Sequence, residues 1–92
     1  MQITNHTHSR FTDLRLDHLP LNTPATIAGI DWSALGEAAA RRLKAFGFED
    51  GAAVEALHFG GMIARDPIAF RIGRMTVALR RVQAAAVTVA PL

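Results

Sequence analysis

Cysteine and tyrosine are absent from this chain, and lysine and tryptophan occur once each, as Lys44 and Trp32. Without cysteine there is no disulfide, no iron–sulfur ligation and no thiol catalysis. A reducing cytoplasm is consistent with that lack. No run approaches the ~20 apolar residues that span a bilayer. The polar N-terminus has no apolar h-region of a secretory signal. The expectation is a cytoplasmic protein without direct membrane insertion. No G-x-x-x-x-G-K-[ST] loop is present, so nothing here cradles the phosphates of GTP. With no tyrosine, an aromatic-lined groove for proline-rich peptides has little to be built from. Trp32 is therefore assigned to packing.

What is present bounds the chain further. Its 92 residues fit one domain with a small core and little surplus stability. Hydrophobic residues make up 50%, but many are alanine, so the core must come from a limited set of larger side chains. A formal charge of +2 is too small to imply nucleic acid. Its distribution is uneven: after Glu55 the sole acid is Asp66, while Arg65, Arg71, Arg74, Arg80 and Arg81 follow. Arginine suits fixed, forked contacts to carboxylates or phosphates.

Residues 1–12 are polar and aperiodic and read as a flexible tail, leaving 13–92 as the domain. Leu14, Leu16, Leu19 and Leu21, broken by Pro20, suggest a short extended piece and a turn. Asn22-Thr23-Pro24 is a second turn, and Ala25 to Asp31 reads as a buried strand with a bulge at Gly29. A helix is expected from about Ser33 to Phe46. Ser33 would cap it, Glu37 and Arg41 would pair along it, and Gly36 would weaken it by ~1 kcal/mol. Leu35, Ala38, Ala39, Arg42, Leu43 and Phe46 fall near one stripe. Gly47 is the natural left-handed stop, which brings Leu43 and Phe48 into the apolar contact of a Schellman ending. Asp50-Gly51 then turns the chain into a strand from Ala52 to about Leu57. The side His58 takes is ambiguous, because Glu55 and Leu57 disagree about which face is buried.

The later half is sharper. Ile68, Phe70 and Ile72 alternate with polar or small residues, as do Met75, Val77 and Leu79. A Gly73-Arg74 loop between them makes a tight hairpin. It pairs Ile72 with Met75, Phe70 with Val77 and Ile68 with Leu79 on one apolar face, and a slip of one residue would turn that face outward. Val82 to Ala86 reads as one helical turn, and Val87 to Leu92 as a last strand. The fold class expected is mainly β: a small SH3-like barrel with one amphipathic helix (about 33–46) inserted between the first strands. A ferredoxin-like sandwich would need a second full helix.

Chemistry is sparse. Asp31, Glu37, Glu49, Asp50, Glu55 and Asp66 form no obvious pair for acid–base work, and neither Ser9 nor Ser33 has a nearby base. The chain is expected not to be an enzyme and to need no cofactor. His6, His8 and His18 are the candidate metal ligands; the His6–His8 pair needs a third ligand, which Asp13, Asp17 or a neighbouring molecule could supply. They would take Fe2+, or adventitious Zn2+ or Ni2+ bridging two copies into a metal-linked or weak homo-oligomer. Phe59, Met62 and Arg65, at a glycine-rich loop, form a candidate docking edge. Arg71, Arg74 and Arg80 are further candidate contacts.

Several segments, in order, carry a resemblance. They are Leu19-Pro20, Ala25-Thr-Ile-Ala-Gly-Ile30, Arg41-Arg-Leu-Lys-Ala-Phe-Gly-Phe48 with Gly51 and Val54, Asp66-Pro-Ile68, Gly73, Ala78-Leu-Arg80, Ala85 and Val87-Thr-Val89. Over 14–92 the chain resembles the ferrous-iron transport A family (FeoA). That resemblance implies an SH3-like barrel in the bacterial cytoplasm with no enzymatic activity. It also implies an accessory role beside FeoB, the membrane transporter that imports ferrous iron and carries a cytoplasmic GTP-binding domain. Two positions depart from the family pattern: Asn22 and Arg65 each stand where glycine is usual or frequent. The alternative readings are a metal-responsive sensor module and a small nucleic-acid-binding barrel, although no nucleic acid is expected.

Overall fold

The computed structural model describes residues 13–60 and 65–92. Six strands appear in the order β1 (Leu14–Arg15), β2 (Pro24–Ile30), β3 (Ala53–Phe59), β4 (Ile68–Ile72), β5 (Met75–Leu79) and β6 (Val87–Pro91). They form one antiparallel sheet in the spatial order β1-β6-β2-β3-β4-β5. Helix α1 (Glu37–Phe46) lies between β2 and β3, and the single turn α2 (Arg81–Ala84) between β5 and β6. The mainly β architecture with one substantial helix is the one expected. The two-residue β1, read as a short extended piece, adds a strand ahead of those counted from the sequence.

Phe48, Phe70, Leu16, Leu43, Ile68, Leu79, Val87 and Val89 are fully buried, and no polar or charged residue is buried among those described. Every strand from β2 to β6 sends alternate residues into this core, the period-2 pattern of a sheet solvated on one side.

The hairpin has the expected register: Ile68 opposes Leu79, Phe70 opposes Val77 and Ile72 opposes Met75. Met75, expected on the buried face, is 44% exposed. It sits beside the turn on β5, an edge strand with no further neighbour to cover it. Strand β3 runs two residues past its expected end. Its register against β4 shifts between Ala56 and His58. That bulge explains why Glu55 and Leu57 gave conflicting parity: Leu57 is the extra residue, and His58 emerges exposed opposite Ala69. Against β6, β2 shifts register between Ile27 and Gly29.

The helix end is as the sequence implies. Gly47 has φ 95°, its N–H donates to Lys44 O, and the Phe48 N–H donates to Leu43 O at 3.0 Å. Leu43 and Phe48 are both buried, closing the Schellman contact. The helix start is different. A 3₁₀ turn (Trp32–Ala34) comes first, and α1 begins only after Gly36, whose φ 77° and ψ 164° are not helical. Ser33 does not cap: its hydroxyl donates to Asp31 Oδ1 at 2.7 Å. Gly36 is thus the hinge at the N-cap and not a weak link within the helix.

These geometries fix two signs. In urea titration, Leu43→Ala is expected to cost about 2–5 kcal/mol and Phe48→Ala about 3–5 kcal/mol. The double mutant should cost less than their sum, because each removes the other's partner. Gly36→Ala is expected to destabilise by about 1–3 kcal/mol, since that backbone region is essentially reserved for glycine. Were Gly36 inside a helix, the same change would stabilise by about 1 kcal/mol, so the sign of the measured shift decides.

Candidate functional site

At the end of β3 the chain leaves the sheet, and the Gly60 N–H donates to Pro67 O at 2.6 Å, which closes the loop toward β4. Asp66 and Pro67 are joined by a cis peptide bond. Arg65 precedes them with φ 54°, a left-handed backbone that side chains other than glycine rarely adopt. Its guanidinium lies over the Phe59 ring, 5.1 Å from the centroid. Phe59 is half-buried and packs against the core, so it holds the cation at a fixed height above the sheet.

On the other side stands the 3₁₀ turn Leu16–His18, which β1 anchors to β6 and against which α2 packs. The side chain of Asp17 is only 4% exposed. It accepts from Arg15 through Nε at 3.0 Å and Nη2 at 2.8 Å, a forked contact. That hydrogen bond, and then the charge of Asp17, hold the Arg15 guanidinium above its ordinary pKa. Arg81 Nη2 lies 3.9 Å from the same carboxylate. The His18 Nε2 is 3.2 Å from Arg15 Nη2. The same Nε2 lies 3.6 Å from Asp17 Oδ2.

Between the two sides runs a groove of about 380 Å³, lined by Asp17, His18, Leu19, Pro20, Leu21, Phe59, Arg65 and Arg81. Leu19, Pro20, Leu21 and Phe59 give it apolar surface, and Asp17, His18, Arg65 and Arg81 give it polar and charged groups. Below it, Asp66 accepts from the Arg81 N–H at 3.0 Å, and Arg80 Nη1 stands 3.8 Å from the same carboxylate.

Of the residues singled out by sequence, Phe59, Arg65 and His18 meet in this groove, and Arg80 lies just beneath it. Arg71 and Arg74 do not. They sit at the far end of β4, on the order of 15 Å along a five-residue strand. There Arg71 pairs with Glu55 at 3.1 Å and lines a separate slot of about 100 Å³ with Pro24, Val54 and Leu92. Met62, His6 and His8 lie outside the described residues. Arg15 and Arg81 were not singled out, and Asp17 entered only as a metal donor. The available signal was the placement of Asp17 between Arg15 and His18.

Among the described residues no three of His, Cys, Asp and Glu come close enough to hold a metal ion. Asp17, the donor nearest His18, is already forked onto Arg15. Among the same residues no helix is long and apolar enough to cross a membrane.

A family model described as the FeoA domain matches residues 14–91. FeoA of Stenotrophomonas maltophilia, solved with zinc and described as a prokaryotic SH3 domain protein, is 31% identical. The alignment covers 83% of this chain and 88% of that one, with a TM-score of 0.67. FeoA of Chlorobium tepidum is 29% identical over 86% of this chain and 70% of that one, with a TM-score of 0.73. T. acidophilum IdeR shares the fold at 16% identity and a TM-score of 0.70, over 87% of this chain and 34% of that one. Comparison with curated proteins gives no match. The match over nearly the whole described region, and the SH3-like sheet it shares with these structures, make this chain a member of the FeoA family, which supports a role in ferrous iron transport.

Proposed function

We propose that this chain is a non-enzymatic accessory module of bacterial ferrous iron uptake, which docks from the cytoplasm on a FeoB-type transporter and promotes its activity. The groove carries the reading. It offers apolar side chains, an aromatic with an arginine stacked on it and charged groups of both signs, which are components of a protein-binding edge. Apart from Arg65, the arginines near it are matched to Asp17 and Asp66 in ion pairs and hydrogen bonds, an arrangement suited to holding shape and not to moving protons. Ferrous iron is then the cargo of the transporter, and the groove is not asked to hold it. Met62 belongs by sequence to the same loop.

Phe59→Ala is expected to leave the circular dichroism spectrum intact and to weaken capture of the transporter's cytoplasmic part. Arg71→Ala and Arg74→Ala, at the far end of β4, should leave capture unchanged. Undiminished capture by Phe59→Ala would remove this loop from the interface.

The zinc complex of Stenotrophomonas maltophilia FeoA raises the matter of metal capture. His18 is poorly placed for it, because its Nε2 lies 3.2 Å from the Arg15 guanidinium, which repels a cation. Divalent metal taken up by this chain should therefore depend on His6 and His8. In anaerobic calorimetry with Fe2+ and with Zn2+, any binding heat should disappear in the variant carrying His6→Ala and His8→Ala, and persist in His18→Ala. Heat lost on His18→Ala alone would overturn the assignment.

A further inference from the structure

We infer that the groove takes an acidic peptide segment, with a carboxylate side chain at the Arg65 rim and an adjacent apolar side chain on the Phe59–Leu21 floor. This rests on the docking role proposed above and specifies the chemistry that would be recognised.

Charge complementarity supports the occupant. Arg65 and Arg81 line the groove beside the single carboxylate of Asp17, while Arg15 and Arg80 are tied to Asp17 and Asp66. Arg15 is forked onto Asp17, which Arg81 also approaches, and Arg80 faces Asp66. Arg65 differs from these three. Among the described residues its contact is the Phe59 ring, and it forms no ion pair. Nor do residues 1–12 or 61–64 contain any acid that could neutralise it.

The backbone supports the same conclusion. At φ 54° glycine is the residue of least cost, and an arginine there carries strain of order 1 kcal/mol. A surface cation stacked on an aromatic recovers about 0.5–1 kcal/mol. Folding therefore gains little from Arg65, and its guanidinium stands at the groove with no carboxylate partner among the described residues. An anion arriving there meets a forked donor set that is already oriented. An acidic segment with an apolar neighbour uses both the rim and the floor. A bare inorganic anion would use the rim alone.

The test uses the full chain with two probes. The first is a fluorescein-labelled peptide of alternating Glu and Leu, with Gln–Leu and Lys–Leu counterparts, read by anisotropy. The Glu–Leu peptide should bind in preference to the other two, and its binding should weaken with salt. Arg65→Gly should raise its Kd by about tenfold, the value of a charge-assisted hydrogen bond. Arg65→Glu should shift the preference to the Lys–Leu peptide. Arg65→Gly should also keep or raise the melting temperature, because it relieves the left-handed backbone. A loss of binding in that variant is then no folding defect.

The second probe is the cytoplasmic part of a FeoB-type transporter, captured by wild type, Arg65→Gly, Arg65→Glu and the control Arg71→Glu. Capture weakened at position 65 and not at 71 supports the inference. Capture lost in Phe59→Ala but unchanged in Arg65→Glu overturns the acidic groove while leaving docking intact. Glu–Leu selectivity without any wild-type capture keeps the groove and removes that transporter as its partner. Equal affinity for the three peptides, or full displacement by inorganic phosphate at matched ionic strength, overturns the inference.

Discussion

The reversal at Gly47 is the constraint on which the rest of the molecule depends. A left-handed residue there ends α1 and turns Phe48 back beneath Leu43, so that one contact both stops the helix and fastens it to the sheet. The chain then reaches Gly51, whose N–H donates to Ile27 O at 2.7 Å, while the Ile27 N–H donates to Ala52 O. That pair sets β3 against β2, and β3 in turn sets the hairpin. A helix extended past Gly47 would deliver β3 out of register, and Phe59 would not reach the end of the sheet where the groove forms.

Elements specified twice over were legible in the sequence. The β4–β5 hairpin is one: the Gly73-Arg74 turn and the alternation of Ile68, Phe70, Val77 and Leu79 independently require one register. The end of α1 is another, since Gly47 as stop and Leu43 with Phe48 as contact agree. Its start was not, because Ser33 fits a cap and Gly36 fits a break equally well on paper. The structure selects the break, since Gly36 takes a non-helical backbone between Ser33 and the first turn of α1. The bulge in β3 was invisible for a different reason. An extra residue in a strand is a property of the pairing with its neighbour, so the sequence shows it only as the conflicting parity of Glu55 and Leu57.

The groove was half legible. Phe59 and Arg65 flank one short loop, so local reading could join them. Asp17 and Arg81 stand far apart in sequence, and they approach because α2 packs on the 3₁₀ turn that β1 anchors against β6. No spacing rule predicts that. The same topology separates Arg71 and Arg74 from the groove, although composition alone grouped all the late arginines together. Once placed, part of that positive charge is neutralised locally: Arg71 by Glu55 and Arg80 by Asp66, while Arg81 shares Asp17 with Arg15.

That neutralisation sharpens the functional argument. An arginine-rich half without its acids would read as a surface for phosphates, with affinity spread over many contacts. Here the pairs remove part of the long-range field and leave Arg65 as a short-range donor in the groove. Asp17, nearly buried and held from two sides by guanidinium groups, fixes the wall of the groove, and Phe59 fixes the height of Arg65 above its floor. Rigidity of this kind is what a docking module contributes. A partner segment that meets preset donors loses only its own conformational freedom on binding, so a small barrel with little surplus stability can still hold it selectively.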